Sequence, residues 1–394
     1  MLMLESNWIM KMPNGKLLPE TVTLCAILMV VGYAFAQTWT QTSAGTGAVE
    51  SVALSADGHI IASAGSPTPL VSTNWGVTWI RPVFTPALTI YLRRVAVSAD
   101  GTKMAAVGPR VAPYISQDSG ITWVQVTSPS QNLLVVAISA DGSNLFAGEY
   151  GGLIFKSTNF GTNWVATGAP SKTWTCIAPS SDGTKLAAGT LGDRIFTSTN
   201  SGLTWTPTSA PSNSWSSIAS SSDGSHLIAT GSNIYISTNS GGSWTPVSIP
   251  GFAAASSADG SKLIVVASSS PNNTIYTSTN FGINWASTNI ANASYLMSVA
   301  SSADGNELLV GANYGIWMYQ DIPSPQLNLT FSNNYLAFSW LTPSTNFVLQ
   351  QNLDLTTTNW LTLTNVPTLN FANLNNELTL SSSNSSGFYR LATP

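Results

Sequence analysis

The chain has 394 residues, 13 Lys and Arg against 17 Asp and Glu, a net charge of −4, and only 8% charged residues, where a typical soluble domain has about 25%. Ser, Thr, Asn and Gly fill the surface instead. That balance excludes nucleic-acid binding, which wants a basic face, and suits an extracellular β protein; the length allows two or three domains.

In chain order, the first segment reads as a secretory signal peptide, residues 1–36. Lys11 and Lys16 precede an apolar run at 22–35 that ends in Ala34-Phe35-Ala36 before Gln37. The run is short for a membrane span, which needs about 20 residues. Cys25 lacks the preceding small residue of a lipoprotein anchor, and Met10 or Met12 is an alternative start. Cleavage leaves Cys176 alone, so no intrachain disulfide forms. The expected mature product is a secreted, periplasmic or cell-surface bacterial protein, a monomer with no span.

From residue 37 a repeat takes over. Asp-Gly pairs stand at Asp57, Asp100, Asp141, Asp182, Asp223, Asp259 and Asp304, and tryptophans at Trp39, Trp79, Trp123, Trp164, Trp205, Trp244 and Trp285. A period near 40 with strand-like content marks a β-propeller. In residues 177–205, an apolar run enters Ser-Asp-Gly, a second run ends in Gly189, and a third leads into Ser-Thr-Asn-Ser-Gly-Leu-Thr-Trp. With the segment after Trp205, this makes four short antiparallel strands, one propeller blade. Seven of the 17 acids are turn aspartates, so the acidity is mostly structural.

The second hairpin of each blade carries a tight motif. Ser116, Asp118, Gly120, Thr122 and Trp123 spell S-x-D-x-G-x-T-W, and five blades write Asn instead, at Asn74, Asn159, Asn200, Asn239 and Asn280. The side-chain oxygen caps backbone N–H groups, Gly takes a positive φ, and Trp packs into the core. Trp39 has a trailing strand and no unit before it, whereas the seventh unit has no trailing strand. Residues 39–43 are therefore expected to supply the outer strand of blade seven and remove a free edge. These motifs resemble the Asp-box, or bacterial neuraminidase repeat, propellers, which include sialidases, sortilin-type receptors and photosystem II assembly-factor propellers. The resemblance implies fold over residues 37–321 and is weak for activity.

A proline break at 322–326 ends the repeat. Residues 327–394 carry strand runs at 327–331, 335–340, 347–351, 360–363, 378–381 and 388–391, a small β-sandwich by count. The pattern around Phe347, Trp360 and Gly387-Phe388-Tyr389-Arg390 resembles a fibronectin-III-like module of secreted Verrucomicrobia and Planctomycetes proteins. The expected fold is all-β, a seven-bladed β-propeller closed by an N-terminal strand plus a small C-terminal sandwich.

Chemistry is expected on the face opposite the Asp-Gly and Asp-box turns, where second-to-third-strand loops and blade connections surround the channel mouth. Arg93, Arg94, Arg110, Tyr114, Glu149, Tyr150, Asp193 and Arg194 gather there in blades two to four, a one-sided polar sector; the competing reading is solvated loops and a braced blade junction. Tyr91, Trp174, Trp215 and Tyr295 share one register and could stack on sugar or peptide, or else pack between blades. Cys176 reads as a buried thiol, and His59 and His226, on separate turns, make no metal site. No cofactor is expected. The expected function is non-catalytic binding of a glycan, peptide or envelope protein. The alternative is a sialidase-like or other exo-glycosidase. Sialidases use three arginines, a Tyr–Glu pair, an acid Asp and an Arg-Ile-Pro motif; here Ile80-Arg81-Pro82 is misplaced and blades five to seven have no arginine. Glu149 with Asp193 is the carboxylate pair that other glycosidases would need.

Overall fold

The computed structural model describes residues 10–11, 39–45, 47–66, 68–88, 91–126, 132–267, 273–290, 292–320, 327–332, 335–341, 348–352, 359–370, 375–381 and 388–392. The expected leader lies outside these residues except for Met10–Lys11, and so does the proline linker at 322–326. All regular elements among the described residues are strands. The chain divides into two compact units: Thr38–Asp321, and Ile322–Pro394 with Met1–Gln37.

The larger unit is a β-propeller built from repeated small sheets. The fourth sheet is representative: Trp174–Pro179, Leu186–Asp193, Phe196–Ser198 and Thr206–Pro207 pair antiparallel in chain order. Sheets of this kind start at Ala48–Leu54, Arg94–Val97, Leu133–Ile138, Trp174–Pro179, Ser217–Ser220, Ala253–Ser256 and Leu296–Ser301. In the last, Thr40–Gln41 adds as the outer strand, Thr40 opposite Met318 and Gln41 opposite Trp317, so the beginning of the unit is built into its final sheet. Trp39 packs on Tyr319 with ring centres 5.5 Å apart.

The joints between sheets follow one rule. The residue before each turn Asp donates its N–H to the carbonyl of its counterpart in the next sheet: Ala56 to Ala99, Ala99 to Ala140, Ala140 to Ser181, Ser181 to Ser222, Ser222 to Ala258, Ala258 to Ala303, and Ala303 back to Ala56, each at 2.7 or 2.8 Å. This chain of amides returns to its start. Four residues before each turn Asp stands an alanine, Ala53, Ala96, Ala137, Ala178, Ala219, Ala255 and Ala300. Its small side chain fits where the innermost strands crowd together. Between sheets the core is aliphatic and aromatic, for example Val135, Phe146, Trp174, Ile177, Leu186 and Phe196 in one cluster.

Turn chemistry fixes the hairpins. In the fourth sheet Ser180 is buried; its hydroxyl donates to Asp182 Oδ1 at 2.5 Å and accepts from the Lys185 N–H at 3.0 Å, while Asp182 accepts from the Thr184 N–H. The same Ser–Asp pair recurs at the other six turns. In the Asp box, Ser116 Oγ donates to Asp118 Oδ1 at 2.7 Å and accepts from the Gly120 N–H, and Trp123 donates to the Gly120 carbonyl. The Asn boxes at Asn159, Asn200, Asn239 and Asn280 repeat the serine bonds with a neutral acceptor; Trp285 also donates to the Gly282 carbonyl, whereas Trp164, Trp205 and Trp244 Nε1 are buried without a partner. Two strands were not anticipated: Val83–Thr85, parallel to Thr122–Gln125, and Asn213–Ser214, beside Leu191 and Asp193.

In the smaller unit, Asn328–Ser332, Tyr335–Leu341, Asn375–Ser381 and Thr368–Asn370 form one sheet. Met10–Lys11, Phe388–Ala392, Val348–Asn352 and Leu361–Thr362 form another. Phe338, Trp340 and Leu378 of the first share a buried cluster with Leu349 and Tyr389 of the second. Strand Thr368–Asn370 is additional to the six expected from sequence.

Candidate functional site

In each sheet the first strand ends at the Asp-Gly turn, so the second-to-third connection and the link from the preceding sheet fall together on the opposite face. That face contains the expected polar sector, and the structure disperses it. Glu50 pairs with Arg93, Oε2 to Nε at 2.7 Å. Arg94 is half-buried at the start of its strand, and Nη1 donates to the carbonyls of Glu50 and Arg93 at 3.4 and 3.1 Å. Burial, then the adjacent Arg93, lowers its pKa. Arg94 also lies close enough to Cys176 for their charges to interact, but burial pushes that thiol up to about 12, which keeps it a neutral, unreactive group.

Asp193 is tied to Lys172 at 2.8 Å and accepts from the Arg194 N–H, and the Lys172 hydrogen bond, first among its partners, lowers its pKa. A carboxyl held ionised in this way is a poor general acid. Glu149 Oε2 accepts from the Leu153 N–H at 3.3 Å within its own loop. Arg194 reaches the Thr208 carbonyl, and exposed Arg110 adopts φ 60°.

Three expected ligand contacts are corrected. Trp174 and Trp215, at 0% and 1% exposure, offer no free ring face. Each is a clamp between sheets: Trp174 Nε1 donates to the Gly152 carbonyl and Trp215 Nε1 to the Asp193 carbonyl, each fastening a loop of the preceding sheet. Tyr114 is also buried, its hydroxyl on the Pro86 carbonyl at 3.0 Å and its ring edge-on to Phe84. Register alone could not separate a ring lying over a joint from one lying over the mouth.

The aromatics that the face does expose include the expected Tyr91, Tyr150 and Tyr295, joined by Tyr314 and Phe252. Tyr150 is 60% exposed, Tyr314 59% and Tyr295 58%, with Tyr91 and Phe252 less so. Tyr150 and Tyr314 cap second-to-third connections; Tyr91, Phe252 and Tyr295 lie just ahead of first strands. Backbone strain points the same way. Six of the nine non-glycine residues at positive φ precede the box glycines (Trp75, Ser119, Phe160, Ser201, Ser240 and Phe281) and are explained by that turn. The other three, Arg110, Asn292 and Tyr295, all lie on the loop face, where a bulky residue at positive φ is costly. A shallow recess of about 10 Å³, lined by residues that include Lys185, Ser198, Gly224 and Ser240, lies on the turn side instead. Among the described residues no three His, Cys, Asp or Glu side chains converge as metal ligands.

Comparison with known proteins agrees on the fold. The model of the BNR-Asp box repeat matches residues 275–288. The structure is similar to a GH74 xyloglucanase from Xanthomonas campestris, TM-score 0.59 at 15% identity over 77% of this chain and 59% of that one. It is also similar to YCF48 from Cyanidioschyzon merolae, TM-score 0.55 at 17% identity over 72% and 98%, and to a YCF48 bound to D1 peptide, TM-score 0.57 at 15% over 72% and 96%. No curated protein matches. The chain thus has a β-propeller fold carrying a BNR-Asp box repeat, and similar folds belong to a glycoside hydrolase and to a peptide-bound protein. No helix among the described residues is long and apolar enough to cross a membrane.

Proposed function

We propose that this chain is a secreted, monomeric, non-catalytic binding propeller of seven blades, closed by its N-terminal strand, with a fibronectin-III-like C-terminal module. It recognises a glycan, a peptide or an envelope protein through the loop face. The observation that carries the reading is the exposed Tyr91, Tyr150, Tyr295 and Tyr314 on that face. Tyrosine buries a large ring area for few rotatable bonds and keeps a hydroxyl for hydrogen bonding, which suits both sugar and peptide contacts. The carboxylates near this face are engaged: Glu50 by Arg93, Asp193 by Lys172, and Glu149 by its own loop. The similarity to a peptide-bound propeller is compatible with a peptide or protein partner.

The full chain, incubated with fluorogenic sialosides and other aryl glycosides between about pH 4 and 8, should release nothing. Turnover that disappears in Glu149→Gln would transfer the reading to a glycosidase, since loss of an acid or base typically costs about 10²–10⁴-fold.

A further inference from the structure

The joint that closes the ring differs chemically from the others. Around the ring, the residue three places after each turn Asp lies over the glycine of the next turn. At three joints it is a lysine, Lys103, Lys185 and Lys262; the first two donate to the carbonyls of Asp141 and Asp223 at 3.0 and 2.9 Å, and Lys262 donates to Asn306 Oδ1. Where the last sheet meets the first, the position belongs to Glu307, whose Oε2 lies against Gly58 so closely that a Cβ there would overlap it. Glu307 is 3% exposed; Oε1 accepts from Gln320 Nε2 at 3.1 Å, while Oε2 is buried with no hydrogen-bond partner.

We propose that Glu307 is a proton-operated latch on this closing joint: protonated, it seals the last sheet against the first, and ionised, it loosens them. The inference goes beyond the binding reading and does not depend on it. As a neutral acid Glu307 gains the donor that lysine brings to equivalent joints. As a carboxylate it sits desolvated and close to two others, Asp304 on its own turn and Asp57 on the turn it covers. Both are already engaged: Asp57 Oδ1 accepts from Ser55 and the His59 N–H, and Asp304 from Ser302 and Asn306. The cation beside this turn, Lys262, is bonded to Asn306 and acts on Asp304, and the His59 ring turns to Trp75. Burial first, then Asp304 and Asp57, push the Glu307 carboxyl from 4.5 to about 8. A raised folded pKa means that this stabilisation is complete below about pH 4.5 and is lost as pH rises through about 8.

Thermal melts of the full chain from about pH 5 to 9, for wild type and Glu307→Gln, test the latch. The wild-type melting temperature should fall by several degrees relative to the variant across that range, the gap opening below pH 8 and then levelling. Asp57→Asn should move the midpoint of this change to lower pH, and the infrared band of a protonated carboxyl should be present near pH 6 in wild type and absent in Glu307→Gln. Parallel pH profiles for wild type and Glu307→Gln, or no such band, would overturn the proposal. So would a calcium-induced rise in melting temperature that Glu307→Gln abolishes, because a cation would then be balancing the carboxylate. If Glu307→Gln does not fold, the Asp57→Asn midpoint decides: an unmoved midpoint overturns the latch.

Discussion

At the scale of single residues, the Ser-x-Asp-Gly turn does two jobs with two side chains. The buried serine hydroxyl accepts the hairpin N–H and donates to the aspartate, and the aspartate accepts the next N–H. Where such bonds outweigh burial they hold the carboxylate ionised; at Asp223 the Ser221 hydroxyl, then the Ser225 N–H, bring the pKa down to about 2 from 3.8. A depressed folded pKa gives stability that is present above about 3.8 and is lost as pH falls toward 2. The melting temperature should therefore drop across that acid window, and Ser221→Ala should flatten part of the drop; an unchanged slope in the variant would assign acid sensitivity elsewhere. The turns were legible in the sequence because their chemistry is local. Trp174 was not, because its place depends on the neighbouring sheet: it packs edge-on to Phe196 and bonds the Gly152 carbonyl. Trp174→Ala leaves a cavity in a close-packed joint and should cost about 3–5 kcal/mol in chemical denaturation, with Gly152 and its loop loosened in hydrogen exchange.

At the scale of the element, the Asp box is a structural hairpin. Gly202 has φ +86°, and a Cβ there meets Thr167 Cγ2 at 3.0 Å. Gly202→Val places a β-branched residue at that φ and should destabilise by more than about 1 kcal/mol. Ligand retention by the folded fraction should survive; loss of retention at an unchanged melting temperature would put the ligand on the turn face. The closing strand Thr40–Gln41 offers a second test. Among the described residues Thr40 and Gln41 pair with the last sheet, helped by the Thr42 N–H on the Ile316 carbonyl and by Trp39 on Tyr319. Deleting residues 39–43 should expose the edge of Gly315–Gln320 and produce aggregation or a large fall in melting temperature. A truncated chain as stable as the full one would show the strand to be dispensable. Strand positions inside the repeat were readable from period and turn residues. Val83–Thr85 and Asn213–Ser214 were not, because they arise in the links between repeats, where pairing partners are set by tertiary proximity and no periodic signal exists.

At the scale of the whole molecule, a chain of small residues makes a ring possible. Alanines crowd the centre, amides link sheet to sheet and return to Ala56, and Glu307 meets Gly58 at the joint. The repeat announced this architecture because each unit buries its face only against its neighbours. The proposed binding surface was only half legible: topology groups the loops on one face, but of the aromatics expected there Trp174, Trp215 and Tyr114 are buried, Tyr150 and Tyr295 are exposed, and Tyr314 was not anticipated. The most direct test of the account is retention of the full chain on glycan and peptide arrays, comparing wild type with the Tyr295→Ala/Tyr314→Ala double variant at matched melting temperature. The account predicts selective retention by wild type that falls by at least about tenfold in the double variant, equivalent to about 1.4 kcal/mol. Equal retention by both proteins would contradict it and place the working surface away from the loop face.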